Sequence, residues 1–250
     1  MSFDINKLSI NKNIPIPLYY QLKTAICSQI NSNNLQPDDS LPTELEITDT
    51  LGISRSTVRQ AIIELVNEGY LYREKGKGTF IAKPKIEASF FQKLDSFNQE
   101  MIDKGFVPST QVLDLCVIQG QPDINKKLML PEQDELIYLS RLRFADKDPV
   151  VFLETYLPYK NFESLIHEDY TVTSLYSVLE NTYFCRIEHA VRRIDAVPAN
   201  AQEAKLLLLK LNSPVMLVRT VAYADHDMPI EYSIARYRGD RNTFTVELKR

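Results

Sequence analysis

Residues 52–61 read Gly-Ile-Ser-Arg-Ser-Thr-Val-Arg-Gln-Ala. Gly52 suits the end of one helix, where the chain passes through left-handed backbone. Ser54 suits the start of the next, where its hydroxyl can accept from an unpaired N–H. Val58, Ile62 and Leu65 then recur at helical spacing and mark an inner face. Arg55, Ser56, Arg59 and Gln60 are left facing outward, with Arg55 and Arg59 one turn apart on the same side. Guanidinium forks beside short hydroxyls can grip phosphate oxygens or a guanine edge, and a helix of this size enters a major groove. Taken alone, the same pattern also fits an exposed amphipathic helix with solvated arginines.

The flanking sequence decides between those readings. Upstream, Thr43-Glu44-Leu45-Glu46 fits a capping box that starts a short helix ending at Gly52. Before it, Pro17 can occupy a first helical turn, followed by Leu18, Leu22, Ile26 and Ile30 on one face. Downstream, Gly69 closes the third helix, and strands are expected over Tyr70–Glu74 and Thr79–Ala82. Between them lies Lys75-Gly76-Lys77-Gly78, followed by Thr79. Glycines there let the backbone come close to another chain, and lysines supply charge. Three helices and a hairpin of this kind predict a winged helix-turn-helix that reads DNA.

Charge distribution agrees. From Ser54 to Lys85 there are seven basic residues (Arg55, Arg59, Arg73, Lys75, Lys77, Lys83, Lys85) against three acidic ones (Glu64, Glu68, Glu74), a local excess of four positive charges on a chain of net charge −4. Such a patch on an acidic protein points to a polyanion partner. The chain of 250 residues, 44% hydrophobic and 25% charged, is long enough for two domains with real cores. No apolar run reaches the ~18 residues of a membrane span, and the polar N-terminus lacks a signal-peptide core, so a cytoplasmic location is expected. Cys27, Cys116 and Cys185 are far apart and form no metal-binding spacing, so they are expected to be buried free thiols.

A short Lys/Pro stretch, Lys83-Pro84-Lys85, separates this region from a second one. We expect a DNA-binding domain at 1–82, a linker at 83–92 and a second domain at 93–250. In the latter, strands are expected over Val112–Ile118, Leu136–Ala145, Val150–Leu157, Arg186–Ala196, Val215–Ala224 and Ile230–Tyr237. Helices are expected after Ser96 and over Asp123–Leu130, Ser174–Glu180 and Asn200–Leu209. Strands dominate without a regular strand–helix alternation, which predicts an α+β fold.

Arg141 and Arg143 are two apart in a strand and so share one face, a clamp for phosphate or carboxylate. Helix starts near Asp95-Ser96-Phe97 and Ser174-Leu175-Tyr176 can add backbone donors. Glu154 and Glu231 can accept from hydroxyls, and Tyr237 can stack and donate. On the residues alone, a surface ion pair between these arginines and Glu154 explains the pattern equally well.

From Pro15 to Ala82 the chain resembles the GntR family of bacterial regulators. The resemblance is carried by Pro17-Leu18-Tyr19-Tyr20-Gln21-Leu22, Leu41-Pro42-Thr43-Glu44, residues 52–61 and Gly76-Lys77-Gly78-Thr79-Phe80. It implies DNA contacts from Arg55, Thr57 and Arg59 in the recognition helix and from Gly78 in the wing. Many members carry Arg after the Glu of the Leu-Pro-x-Glu run, where this chain has Leu45.

From Leu94 to Phe244 the chain is similar to the UTRA effector domain of the HutC-type branch. Here the matches are Leu94-Asp95-Ser96-Phe97, Arg141-Leu142-Arg143-Phe144-Ala145-Asp146, Glu154 before Leu157-Pro158, Ser174-Leu175-Tyr176 and Glu231-Tyr232-Ser233 through Tyr237-Arg238-Gly239-Asp240-Arg241. The resemblance implies an antiparallel-sheet domain of chorismate lyase-like fold. Within the branch the pattern is similar to regulators of N-acetylglucosamine use, whose pocket holds a sugar phosphate. By that resemblance Arg141, Arg143, Ser174 and the backbone near Ser96 and Phe97 hold phosphate, while Glu154, Tyr176, Glu231 and Tyr237 meet the sugar. The interval from Arg143 to Glu154 is one residue longer than that type carries. Arg238, Asp240 and Arg241 are expected to hold a turn or a dimer contact.

His167, His189 and His226 are scattered, and no HExxH, P-loop, GxSxG or GxGxxG motif is present. An enzyme of chorismate lyase-like fold is the remote alternative. The expectation is a homodimeric repressor without cofactor or metal. It binds a pseudo-palindromic operator and is released by an amino-sugar phosphate, glucosamine-6-phosphate or N-acetylglucosamine-6-phosphate. Another sugar phosphate or a small organic acid would fit the same clamp.

Overall fold

Each helix signal around residues 52–61 has its counterpart in the computed structural model, which describes residues 3–32, 35–88 and 97–247. The chain divides into two units, Met1–Lys85 and Ile86–Arg250.

In the first unit α1 (Leu18–Asn31) follows Pro17, which sits one position outside the helix as its N-cap. Pro17 has no side-chain donor or acceptor, and the Gln21 amide instead donates to the Ile16 carbonyl at 2.8 Å. A two-residue strand, β1 (Ser40–Leu41), precedes α2 (Glu44–Leu51). The α2 capping box is complete: Glu46 N donates to Thr43 Oγ1 at 3.2 Å, and Thr43 N to Glu46 Oε2 at 2.7 Å. Gly52 ends α2 at φ +57°, and Lys12 Nζ donates to its carbonyl at 2.8 Å. Ser54 caps α3 (Arg55–Asn67) by accepting from Thr57 N at 3.2 Å. β2 (Leu71–Glu74) and β3 (Gly78–Ile81) form the hairpin, with β1 on the outer side of β3. Leu22, Ile26, Ile47, Val58, Ile62, Leu65, Leu71 and Ile81 are fully buried together. At roughly 1.5–3 kcal/mol for each such side chain, this core holds the three helices against the hairpin.

The second unit opens with β4 (Ile86–Ala88), α4 (Phe97–Asp103) and β5 (Pro108–Ile118). It continues through α5 (Pro122–Lys127), β6 (Leu136–Ala145), β7 (Asp148–Pro158) and α6 (Leu175–Thr182). Next come β8 (His189–Pro198), α7 (Ala201–Leu206), β9 (Pro214–Ala224), β10 (Met228–Arg238) and β11 (Asn242–Phe244). Six strands form an antiparallel sheet in the order β5-β6-β7-β10-β9-β8, and β11 pairs in parallel with β4. Two-residue alternation gives each strand two faces. One face packs against α6 and the segment from Phe162 to Tyr170, with α4 alongside. The other packs against α5 and α7.

Several expectations shift. The strand expected from Val112 begins at Pro108 and the one expected from Arg186 at His189, the helix expected over Asp123–Leu130 stops at Lys127 and the last helix at Leu206, and the β4–β11 pair, three residues long and far apart in sequence, lies outside the expected strands. The expected turn is present: Arg238 donates twice to Asp240, at 3.0 and 2.7 Å, and Arg241 lies 3.4 Å from Asp148. The cysteines are free but only half-buried, a correction to the expected full burial.

Register between β6 and β7 decides which side chains reach which face. From Leu136↔Pro158 to Arg143↔Val151 the pairing is regular; it then shifts by one residue, to Phe144↔Pro149 and Ala145↔Asp148. The extra residue sits on β7 next to Pro149, which has no N–H to give a ladder.

Candidate functional sites

The α3 helix presents Arg55, Ser56, Arg59 and Gln60 on one exposed face. Thr57 is half-buried, and its hydroxyl shares a 2.8 Å hydrogen bond with Ser54 Oγ, as does Ser56 Oγ. The first turn of the helix is thus organised by three hydroxyls around one cap. Gln60 Nε2 donates to Glu64 Oε1 at a long 3.4 Å. The hairpin tip exposes Lys75, Lys77 and Gly78, with Thr79 half-buried behind them. Lys77 Nζ donates to Glu74 Oε1 at 2.7 Å, and Gly76 and Gly78 hold φ of +79° and +135°, where a side chain would be strained. Sequence reasoning missed the role of Glu44. Its carboxylate accepts from Arg73 at 2.8 Å and lies 3.9 Å from Arg55 Nε, so one acid joins the hairpin to the recognition helix.

In the second unit, inward side chains of five strands converge on a pocket. β6 supplies Arg141 and Arg143, and β7 supplies Val151 and Leu153. Arg192 comes from β8, Val218 and Thr220 from β9, and Glu231, Ser233, Ala235 and Tyr237 from β10. α4 adds Phe97 and Glu100, and the start of α6 adds Ser174, Leu175 and Tyr176.

Arg141 is 2% exposed and donates to Thr155 Oγ1 at 3.1 Å, while its Nε has no partner. Burial, and then the charge of Arg143, pull its pKa down to about 9, against the opposing effect of Glu231. Arg143 lies over the Phe97 ring at 5.1 Å, also with an unpartnered Nε, and burial lowers its pKa. Facing them, Glu231 is 3% exposed and its Oε2 has no partner. Burial and the neighbouring Glu231, which accepts its hydrogen bond, hold the Tyr176 hydroxyl well above its ordinary pKa. Burial pushes Tyr237 up to about 12, with Arg192 and Arg143 acting the other way. Unpaired buried charge is costly, so these groups are poised for a ligand that offers an anion to the guanidiniums and a donor to the carboxylate.

The structure therefore gathers Phe97, Arg141, Arg143, Ser174, Tyr176, Glu231 and Tyr237, while Asp95 and Ser96 lie outside the described residues. Glu154 does not reach the pocket. It pairs with Ser140, on the far face, where its carboxylate accepts from Tyr138 at 2.8 Å and forms an ion pair with Arg236. The cause is the one-residue bulge. Without it Glu154 would pair with Leu139 and point inward; with it every β7 side chain beyond the bulge changes face. Leu153 takes the inward place beside Arg141. The alternative of an Arg141–Glu154 surface pair falls for the same reason. Sequence reasoning missed Arg192, Glu100, Thr220 and Ser233. The Arg192-Arg193 doublet has one inward member, and only the register to Thr220 tells which.

Among the described residues no cluster of His, Cys, Asp or Glu could hold a metal ion, and no helix is long and apolar enough to cross a membrane.

Residues 18–81 match the family of bacterial regulatory proteins described as gntR, and residues 103–243 match the UTRA domain. Over 243 residues, 97% of this chain and 99% of the relative, the sequence is 34% identical to the HTH-type transcriptional repressor NagR of Bacillus subtilis. It is 28% identical over 236 residues to a probable fructoselysine utilization operon transcriptional repressor of Escherichia coli O157:H7, covering 93% of this chain and 95% of that one. The crystal structure of PhnF from Mycobacterium smegmatis superposes with a TM-score of 0.66 at 26% identity, covering 91% of this chain and 98% of that one.

Proposed function

The chain belongs to the GntR family of bacterial regulatory proteins and carries a UTRA domain, and from that premise we propose a homodimeric repressor released from its operator by a phosphorylated amino sugar. As a member of this family it is a DNA-binding transcription regulator of the repressor type and not an enzyme. In this proposal residues 1–82 read DNA, 83–92 link, and 93–250 sense the effector. Arg55, Ser56, Thr57, Arg59 and Gln60 enter the major groove, while Lys75, Lys77, Gly78 and Thr79 follow the backbone. Two such units on a two-fold axis meet a pseudo-palindromic operator with half-sites about 34 Å apart or a small multiple of that. The protein works in the cytoplasm, where its operator is.

One observation carries the effector reading: two buried guanidiniums with unpartnered Nε atoms face a buried carboxylate with an unpartnered oxygen. Phosphate satisfies Arg141 and Arg143 bidentately, aided by Phe97 and Ser174. An amine or hydroxyl of the sugar satisfies Glu231, with Tyr176 and Tyr237 alongside. Glucosamine-6-phosphate and N-acetylglucosamine-6-phosphate fit this demand. The outward turn of Glu154 favours a second reading, in which the same clamp holds a different sugar phosphate or a small acid.

Thermal unfolding with each compound tests both readings. A ligand at 100 times its Kd stabilises the folded state by about 2.7 kcal/mol, a shift of several degrees. Stabilisation by an amino-sugar phosphate and not by the free amino sugar supports the clamp and the sugar class. A shift from a plain acid alone sinks the sugar-phosphate assignment.

A further inference from the structure

We infer that residues 3–13 form an arm that belongs to the DNA face, and that its Lys12 grips a backbone phosphate beside the start of α3. This rests on the DNA-binding reading of the first unit and adds a contact that neither the recognition helix nor the hairpin supplies.

The arm precedes α1 and has two sides. Phe3 and Leu8 are buried in the core of the first unit, and Ile5 and Ile10 pack against it. Asn6, Lys7, Ser9, Asn11, Lys12 and Asn13 are exposed. Hydrogen bonds tie the arm to α1 at two points. Gln29 Nε2 donates to the Asp4 carbonyl at 3.1 Å. Asn11 N donates to Gln21 Oε1 at 2.8 Å, and Gln21 Nε2 donates back to the Asn11 carbonyl at 3.0 Å. A chain terminus is well ordered only where it is held down, and here the holding ends at the residue before Lys12. The Lys12 side chain then reaches across to Gly52 and donates from Nζ to its carbonyl at 2.8 Å.

That position sets the role. Gly52 ends α2 and lies just ahead of Ser54, the cap of α3, and Arg55, its first residue. A recognition helix reads bases from its N-terminal residues, so backbone phosphates flank that end. An ammonium has three donors, and the Gly52 carbonyl takes one of them. Lys7, Lys23 and Lys77 each lie against a carboxylate, on Asp4, on Glu64 and Glu68, and on Glu74. Lys12 forms no ion pair among the described residues, and neither do Arg59 and Lys75 of the proposed DNA face. Fixed cations with no acid beside them suit a polyanion. The plainer role is a cap, since a lysine is favourable at the last carbonyls of a helix. Yet Gly52 already closes α2 in left-handed backbone, and a cap alone does not account for the anchored arm that delivers Lys12.

The two roles differ in their response to salt. Lys12→Gln keeps a donor for the Gly52 carbonyl and removes the charge. Anisotropy of the full chain on two labelled duplexes, one selected by the wild-type protein from a random pool and one of mixed sequence, measures the effect across a salt series. A phosphate contact carries no sequence information. Lys12→Gln should therefore weaken both duplexes several-fold and by the same factor. The slope of log K against log salt should become shallower by about 0.9, the share of one neutralised phosphate. Lys12→Arg should restore affinity and slope, and the melting temperature should stay at the wild-type value in both variants. An unchanged slope in Lys12→Gln overturns the phosphate contact and leaves the DNA reading standing; a lowered melting temperature with that unchanged slope makes Lys12 a cap and nothing more. A wild-type chain that binds neither duplex at low salt removes the DNA reading itself, and this contact with it.

Discussion

Arg141 holds its charge in a place that does not stabilise the fold. It is almost fully buried, it lies beside Arg143, and its Nε has no partner, with Glu231 opposing the effect of burial. Replacing a buried guanidinium that lies beside a like charge by an apolar side chain of similar length removes its desolvation cost and that repulsion, against the smaller loss of attraction to Glu231. Arg141→Met should therefore raise the melting temperature of the free protein by a few degrees, about 1 kcal/mol net of the lost Thr155 contact. The same variant should lose the stabilisation by sugar phosphate. A thermal-shift titration reads both at once, and a variant that still responds at wild-type concentrations would remove Arg141 as the anion anchor. Glu154 should behave in the opposite way. Its partners are Tyr138 and Arg236, the latter also held by Glu203 at 2.8 Å. Glu154→Gln should cost about 1–3 kcal/mol and leave effector affinity within about threefold, as calorimetry would show. A large loss of affinity with stability unchanged would return Glu154 to the pocket.

Among the elements, α2 looks like a spacer, yet it supplies the acid that positions its neighbours. Glu44 touches Arg73 on β2 and Arg55 on α3, both within or beside the proposed DNA face. Glu44→Ala should free both side chains and weaken operator binding several-fold through lost preorganisation. The effector-induced thermal shift should not change. Fluorescence anisotropy on an operator duplex measures the first effect, and tighter binding after loss of the negative charge would show that Glu44 repels phosphate more than it orients arginine. Elements of this kind were legible where the signal is local. Thr43 with Glu46, Ser54 and Gly52 announce their helix ends because each cap is made within three or four residues. Arg141 and Arg143 were legible because a two-residue interval in a strand keeps one face. Glu154 was not, because its face depends on a bulge near Pro149 that alternation alone does not reveal. Arg192 was hidden likewise, since choosing between it and Arg193 needs the pairing of β8 with β9.

For the whole molecule the proposed function demands a coupling between two sites on separate units. A ligand that bound the DNA-competent and released forms equally would shift nothing, however tightly it bound. Release in the proposed function therefore requires that the effector prefer the released form, and thermodynamic linkage makes that preference reciprocal. If saturating effector weakens the operator by some factor, saturating operator must weaken the effector by the same factor. Couplings of this class are about 1–3 kcal/mol, or roughly 5–150-fold. Titrating effector into the free protein and into the protein–operator complex by calorimetry should give dissociation constants that differ by the factor seen in operator binding with and without effector. Arg59→Ala should abolish operator binding and leave the effector constant at its free-protein value even when the duplex is present. Equal effector constants in wild-type protein with and without operator would mean that pocket and DNA face are uncoupled. In that case the pocket would be a binding site without a regulatory output, because no conformational path between the two units can transmit a preference that the ligand does not have.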